Sequence, residues 1–350
     1  MARALRIERV GGRYHVTARG NERKAIFRDD TDRFGFLKLL AELGERFGSK
    51  AHAYVLMDNH FHLLVETPEA NLSRTMQWLG VSYSVWFNRR HGRSGHLFQG
   101  RFKAFIVEND PGWQEVARYV HLNPVRLAQL GLGKRQRSAS RAGLVTATAP
   151  KLIAERLRLL REFPWSSYRG YAGYCAPLSW VCREPLAGVC GGTTEAEQRA
   201  AVREYTEQAI REGIVASPWQ RLIGGLVLGS EAFARQLGQK LRGNAREQRA
   251  LRALSPAAEW RAIVSALERA KGQAWEEFSN RHGDWGRDGA LWLGRRQGRM
   301  SLGELGRLAG GMDYAAVGQA VSRFSRRLDK QAALHREIDG IQTQLSNVET

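Results

Sequence analysis

Ala51 to Thr67, AHAYVLMDNHFHLLVET, is the stretch on which the reading of this chain turns. It is apolar, rich in Val, Leu and aromatic residues, and has no interior Gly or Pro, the pattern of one buried strand. At its centre stands His60-Phe61-His62. Side chains alternate across a strand, so both imidazoles face one way and Phe61 faces the opposite layer. Two parallel imidazoles on one rigid strand make two legs of a metal site, and a third ligand must come from elsewhere. Two half-buried histidines with ordinary hydrogen bonds fit the same motif, so it does not decide the matter alone.

A second constellation lies at Arg118 to Arg126, RYVHLNPVR. Asn109-Asp110-Pro111 offers a capped helix start with Pro in the first turn, and Trp113, Val116, Ala117 and Val120 follow at helical spacing. Tyr119 and Asn123 are four apart and share a helix face. A phenol beside a carboxamide oxygen supplies a nucleophile and a third metal ligand. A buried tyrosine and a C-terminal Asn cap are the plainer alternative. Pro124 biases Asn123 away from helical geometry, so the helix ends or kinks there.

Together, His60-Phe61-His62 and Tyr119…Asn123 resemble the HUH single-tyrosine transposases, specifically the REP-associated tyrosine transposases. The resemblance covers about the first half of the chain, in five blocks in the family's order. They are Tyr14-His15-Val16-Thr17-Ala18-Arg19-Gly20-Asn21, Val55 to His62, Gly92 to Lys103, Tyr119 to Arg126, and Pro164-Trp165-Ser166-Ser167-Tyr168. The resemblance implies an α+β fold: an antiparallel sheet with helices on one face, the His pair on a central strand and the Tyr helix across it. It implies an enzyme that cleaves and rejoins single-stranded DNA. His60, His62 and Asn123 would hold one Mg²⁺ or Mn²⁺, and Tyr119 would form a 5′-phosphotyrosine and release a 3′-hydroxyl. The implied substrate is a hairpin formed by a repetitive extragenic palindrome, and the implied state is a monomer, with a dimer left open.

The 350-residue chain is long enough for two or three domains. Its net charge of +19, spread along the sequence, directs it to polyanions, nucleic acid first. No long apolar run suggests a membrane anchor and MARALRIERV has no signal core, so the expected location is the cytoplasm, at the nucleoid. Cys175, Cys182 and Cys190 have no zinc-ribbon spacing and are expected as reduced thiols.

Around the two motifs, the pattern predicts a strand over Tyr14–Ala18 and a helix through about Arg46 with Phe34, Leu37, Leu40 and Leu43 on one face. A second helix over Ala70–Arg90 and a strand over His96–Glu108 follow. Arg93, His96, Gln99, Arg101 and Lys103 combine with glycines and aromatics in a segment suited to a phosphate backbone and to bases. Gly131 to Pro150 is a basic, Gly/Ser-rich insert that departs from the family pattern.

Beyond Glu195 the composition predicts helices over Glu195–Glu212, Trp219–Leu228, Ser230–Arg242 and Ala257–Lys271, with no chemistry of their own. Farther on, Ser301…Glu304 reads as a capping box, Gly310-Gly311 as a helix end and Asp313 as the next helix start. This resembles the helix-turn-helix of the replication initiator DnaA, with Tyr314–Leu328 as recognition helix and Arg323, Arg326 and Arg327 as contacts to flanking duplex DNA. The expected division is a catalytic domain at 1–175, a helical spacer at 176–285, a helix-turn-helix at 286–330 and a tail at 331–350. Two other functions fit the same sequence: a DNA-binding transcriptional regulator with little cleavage activity, and a metal-dependent nuclease that uses water.

Overall fold

The structure, a computed structural model, describes residues 6–108, 112–126, 150–183, 190–213, 217–240, 258–281, 284–298 and 300–347. The helix start expected at Asn109–Pro111 and nearly all of the basic insert lie outside these residues. The chain divides into two compact units, Met1–Arg252 and Ala253–Thr350. That division falls inside the stretch expected to be a spacer. The charge divides unequally: the first unit has 40 Lys+Arg against 23 Asp+Glu, or +17, and the second 14 against 12, or +2. The basic excess is therefore a property of the first unit, not of the whole chain.

The first unit is built on a sheet of six strands: β1 (Gly12–Arg19), β2 (Lys50–Met57), β3 (His60–Thr67), β4 (Lys103–Val107), β5 (Leu222–Ile223) and β6 (Val227–Leu228), in the order β2-β3-β1-β4-β6-β5. The stretch read as one strand is a hairpin. Asp58 and Asn59 turn the chain, Met57 pairs with His60, and β2 runs antiparallel to β3. Neither Gly nor Pro marks the turn because Asp and Asn, residues that favour turns, serve it. The turn carbonyls are occupied: Asp58 accepts from the amides of Ile26 and Phe27, and Asn59 accepts from that of Gly20.

Helices α1 (Asp30–Phe47) and α2 (Leu72–Arg90) pack on one another. The Asp29 side chain caps α1 by accepting from the Asp32 amide, and Phe36, Leu40 and Leu43 are buried. Phe34 is not: it is 64% exposed and meets Trp165 edge-on. On this side Phe36 of α1 touches Phe61, whereas α3 (Gly112–His121) lies on the side of His62. The sheet is thus covered on both faces, not one, which is why β3 is buried at nearly every position. The α+β class stands, but the sheet is mixed, since β4 pairs with β6 in parallel.

Three further helices, α4 (Pro150–Glu162), α5 (Tyr168–Ala172) and α6 (Glu195–Arg211), pack on each other. Glu207 of α6 accepts from Arg161, Tyr168 and Tyr174, tying all three together. Ser166 bridges to Val55, and Ser167 Oγ accepts from the Tyr54 amide at 3.0 Å, so the Trp-Ser-Ser-Tyr block extends the edge of β2. Trp219–Leu228 is not a helix. Gly224 and Gly225 adopt φ of 61° and 70°, which helical residues do not, and the chain forms the β5–β6 hairpin instead. Likewise only Lys103–Val107 of the expected strand at His96–Glu108 is extended in the sheet, because Gly95 and Gly100 are left-handed (φ 84° and 71°). A helix α7 (Glu231–Lys240) closes the described part of the unit, whose three cysteines form no disulfide.

The second unit is all helical: α8 (Trp260–Lys271), α9 (Trp275–Ser279), α10 (Trp285–Arg296), α11 (Leu302–Leu308), α12 (Tyr314–Lys330) and α13 (Ala332–Asn347). Ile263, Leu267, Phe278, Leu291, Leu305, Val317, Phe324 and Ile338 form one core. Ser301 and Glu304 make the capping box, and Asp313 caps α12. Gly306 fits the turn because a Cβ there would sit 2.0 Å from the Met312 carbonyl oxygen. The segment expected as a tail is largely α13, with Leu334, Ile338 and Ile341 buried. No described helix is long and apolar enough to cross a membrane.

Candidate active site

The face of β3 that carries His60 and His62 is set by register. Arg19 lies directly opposite His60 and Thr17 opposite His62 on β1, and Lys103 of β4 pairs with Thr17. Cross-strand partners share a face, so Arg19, Thr17, Lys103 and both histidines look the same way. His15 of β1 joins them one diagonal away.

The imidazoles are fixed from behind. His60 Nδ1 is 2.7 Å from Asn59 Oδ1, and His62 Nδ1 is 2.9 Å from His15 Nε2. With both Nδ1 atoms engaged, the Nε2 atoms are left for another partner. Burial, with the nearby Arg19 charge adding to it, lowers the His60 pKa to about 4. Burial, then His15, holds His62 well below its ordinary value, and burial takes His15 to about 3. All three are therefore neutral at pH 7, the state in which imidazole can bind a metal.

Tyr119 comes from α3. Its ring stands edge-on to His62 at 5.7 Å between centroids, and the Arg126 guanidinium lies over it at 4.6 Å. Helix α3 ends where the sequence predicts: a 3₁₀ turn, Asn123–Val125, begins with Pro124 in its first turn. Asn123 is buried, and its Nδ2 donates to the Tyr119 carbonyl at 2.8 Å. The amide nitrogen is thereby committed to the helix end, leaving the oxygen for any other role. His121 points elsewhere. It is buried against Tyr168 and Tyr171 and hydrogen-bonds Ser167 Oγ at 3.0 Å, anchoring α3 to the Trp-Ser-Ser-Tyr block.

The donor set fits a divalent cation in kind: two neutral imidazole nitrogens and one amide oxygen. Among the described residues no cluster of three His, Cys, Asp or Glu offers an alternative.

The basic loop is pinned to the rim of this site. Gln99 N donates to the Arg19 carbonyl, Asn21 N to that of Leu97, and Gly20 bridges Phe98, so the loop follows the end of β1 beside His60. His96, Gln99, Arg101 and Lys103 are exposed, while Arg93 is half-buried against Phe87 and Asn88. Arg323, Arg326 and Arg327 belong to the second unit, on α12. Arg323 lies 3.6 Å from Asp288, and with Arg326 it lines a shallow groove with Ala315, Gly318, Gln319 and Ser322.

Sequence reasoning missed three members of the site. His15 was visible only as one letter of a matched block; its alternation with Thr17 and Arg19 places it on the histidine face. Arg19 had the same signal. Trp219, which lies 4.8 Å from Tyr119 and 4.5 Å from His15, had none, since it reaches the site from about a hundred residues farther along.

Fold and site together define an α+β domain with a paired-histidine and tyrosine centre on one face of its sheet. Residues 9–123 match the family described as "Transposase IS200 like". The match ends at Asn123, so it holds the first three blocks of the sequence resemblance and the Tyr119–Asn123 part of the fourth. A solved structure of a REP-associated tyrosine transposase bound to a REP hairpin is similar over 49% of this chain and 86% of that one. Identity there is 16% and the TM-score 0.35, too slight a likeness to carry an argument. No curated protein matches the sequence.

Proposed function

We propose that the first unit cleaves and rejoins single-stranded DNA through a tyrosyl intermediate. The observation that carries this reading is the contact of Tyr119 with His62 in one chain, within a domain matched to the IS200-like transposases. The Tyr119 oxygen attacks the scissile phosphorus as the phenol proton passes to solvent, and the bond to the 3′ oxygen breaks as that oxygen takes up a proton from solvent. The products are a 5′-phosphotyrosine and a free 3′-hydroxyl. Return attack by a 3′-hydroxyl restores a phosphodiester, so strand joining needs no nucleotide cofactor. His60, His62 and Asn123 would hold the Mg²⁺ or Mn²⁺ ion, which when bound would offset charge on the phosphate oxygens. Two imidazoles favour Mn²⁺ over Mg²⁺, whose preference is for oxygen. Arg19, Lys103 and the Gln99–Arg101 loop would hold the DNA backbone at the rim. Because nucleophile and histidines of a single chain already meet, a monomer acting in cis fits best.

The substrate we propose is a DNA hairpin of the REP type. The second unit would add affinity for duplex beside it, with α12 as the reading helix and Arg323, Arg326 and Arg327 as its basic residues. Its charge of only +2 makes this a local contact rather than a broad electrostatic one.

The test is incubation of the chain and of Tyr119→Phe with labelled single-stranded hairpin DNA and Mn²⁺, read on a denaturing gel. A covalent protein–DNA band that disappears in the variant supports the proposal. Clean fragments from both would mean hydrolysis by water. Binding without any cleavage would mean a DNA-binding regulator.

A further inference from the structure

The stretch Ser217–Ser230 lies beyond the matched family region, yet it is built into the candidate site at several points. β6 pairs in parallel with β4, Ile106 to Val227 and Val107 to Leu228. Glu108 accepts from both the amide and the hydroxyl of Ser230. At the other end Arg221 forms an ion pair with Glu115, which lies one helical turn before Tyr119 on α3. The 3₁₀ turn that ends at this anchor, Pro218–Arg221, carries Trp219.

The indole of Trp219 is half-buried over the histidine face. It is 4.5 Å from His15 and 5.2 Å from Phe105, tilted by 37° and 33°, and it meets Tyr119 edge-on at 4.8 Å and 78°. Tyr119 is therefore walled by Trp219, by His62 and by the Arg126 guanidinium. His15, under the same indole, is the residue that holds His62 Nδ1. A phenol on a helix surface has two free side-chain torsions, and these contacts restrict both. Edge-on aromatic pairs are favoured by the ring quadrupole, so the arrangement is directional and not mere filling.

We propose that Trp219 is a positioning residue for Tyr119: the strap Ser217–Ser230 sets the direction of the nucleophilic oxygen. This inference rests on the tyrosyl reading above. In reactions that depend on oriented groups, a displacement of about 1 Å costs on the order of 100-fold in rate. Binding of DNA, which uses the basic rim, does not depend on it.

The experiment measures single-turnover formation of the covalent adduct by the full chain, with labelled hairpin DNA and Mn²⁺, together with hairpin Kd. Trp219→Ala should slow adduct formation roughly 10- to 100-fold while Kd stays within about twofold, and Trp219→Phe should recover most of the rate. Thermal unfolding is followed in parallel; if the Ala variant does not fold, Trp219→Leu, which keeps apolar bulk without a ring, carries the same expectation. An unchanged rate overturns the proposal, as does an equal loss in rate and affinity, which would make Trp219 a DNA contact. A faster rate also overturns it, since the strap would then be a cover. Tyr119→Phe run alongside separates the two ideas. Adduct from that variant defeats the tyrosyl reading itself, whereas its absence with a normal Trp219→Ala rate defeats only the positioning role.

Discussion

Asn123 serves two purposes in the proposed site, and the two can be separated by substitution. Its Nδ2 donates to the Tyr119 carbonyl at 2.8 Å, and its oxygen is the proposed third ligand. Asn123→Ala removes both. Losing one buried neutral hydrogen bond costs about 1 kcal/mol. In a unit of this size that lowers Tm by roughly 2–4 °C. Asn123→Asp keeps an oxygen for the cation but turns a donor into an acceptor facing the Tyr119 carbonyl. It should destabilise more, by about 2 kcal/mol, because the carbonyl loses its donor and meets a charge. The order for metal is the reverse. Partners behind a metal ligand are worth about 10- to 100-fold in affinity, and a direct ligand should be worth no less, so Asn123→Ala should weaken Mn²⁺ by at least about tenfold. The aspartate variant, with its anionic oxygen, should bind as tightly as the natural chain or tighter. Calorimetric titration with Mn²⁺ and thermal denaturation on the same samples report the two orders. If Asn123→Ala binds Mn²⁺ normally while losing stability, Asn123 is a helix cap and the ligand assignment is wrong.

Three other outcomes are expected. His15 and His121 have folded pKa values of about 3 against about 6.5 unfolded, so below 6.5 the unfolded chain takes up protons that the folded one does not. The stability they contribute is complete above pH 6.5 and declines as pH falls, by about 2 kcal/mol each at pH 5; a Tm unchanged between pH 7 and 5 would contradict their burial as neutral groups. Gly306→Ala should unfold the α11–α12 turn of the second unit, costing about 2 kcal/mol or more because its Cβ meets backbone; near-normal helix content and Tm by circular dichroism would show that the turn yields. A chain ending at Arg252 should still form the hairpin adduct but bind flanking duplex less tightly and with a shallower salt slope, and identical binding would remove the second unit from DNA recognition. An end near Arg287, by contrast, would strip Ile263 and Phe278 of their core.

The parts of the site legible in the sequence were those with local periodicity. Alternation put His60 and His62 on one face, and the four-residue interval put Tyr119 beside Asn123, because both relations depend only on backbone geometry. The hairpin inside Ala51–Thr67 escaped because its turn is only the two residues Asp58-Asn59, without Gly or Pro, amid apolar strands on both sides. Phe34 was misassigned to the core because helical spacing allows it, while tertiary packing chose Phe36 instead. At Trp219–Leu228 apolar density resembled a helix, and only the conformation of Gly224-Gly225 selects a hairpin. The unit boundary escaped for a related reason: α6 and α8 have similar compositions, yet Glu207 ties one to the first unit while Ile263 is buried in the second.

The parallel pairing of β4 with β6 joins positions far apart in the chain, Ile106 with Val227. The four longer strands and α3 can assemble once the first 126 residues are made, but Trp219 and its strap arrive only some hundred residues later. At ribosomal speeds of about 5–20 residues per second, that gap lasts roughly 5 to 20 s. A nascent chain would thus hold its histidines in place well before its tyrosine is walled in. On the positioning role proposed for Trp219, strand-cutting competence would be reached late in synthesis, and a chain released early would present a folded sheet with an unaimed nucleophile.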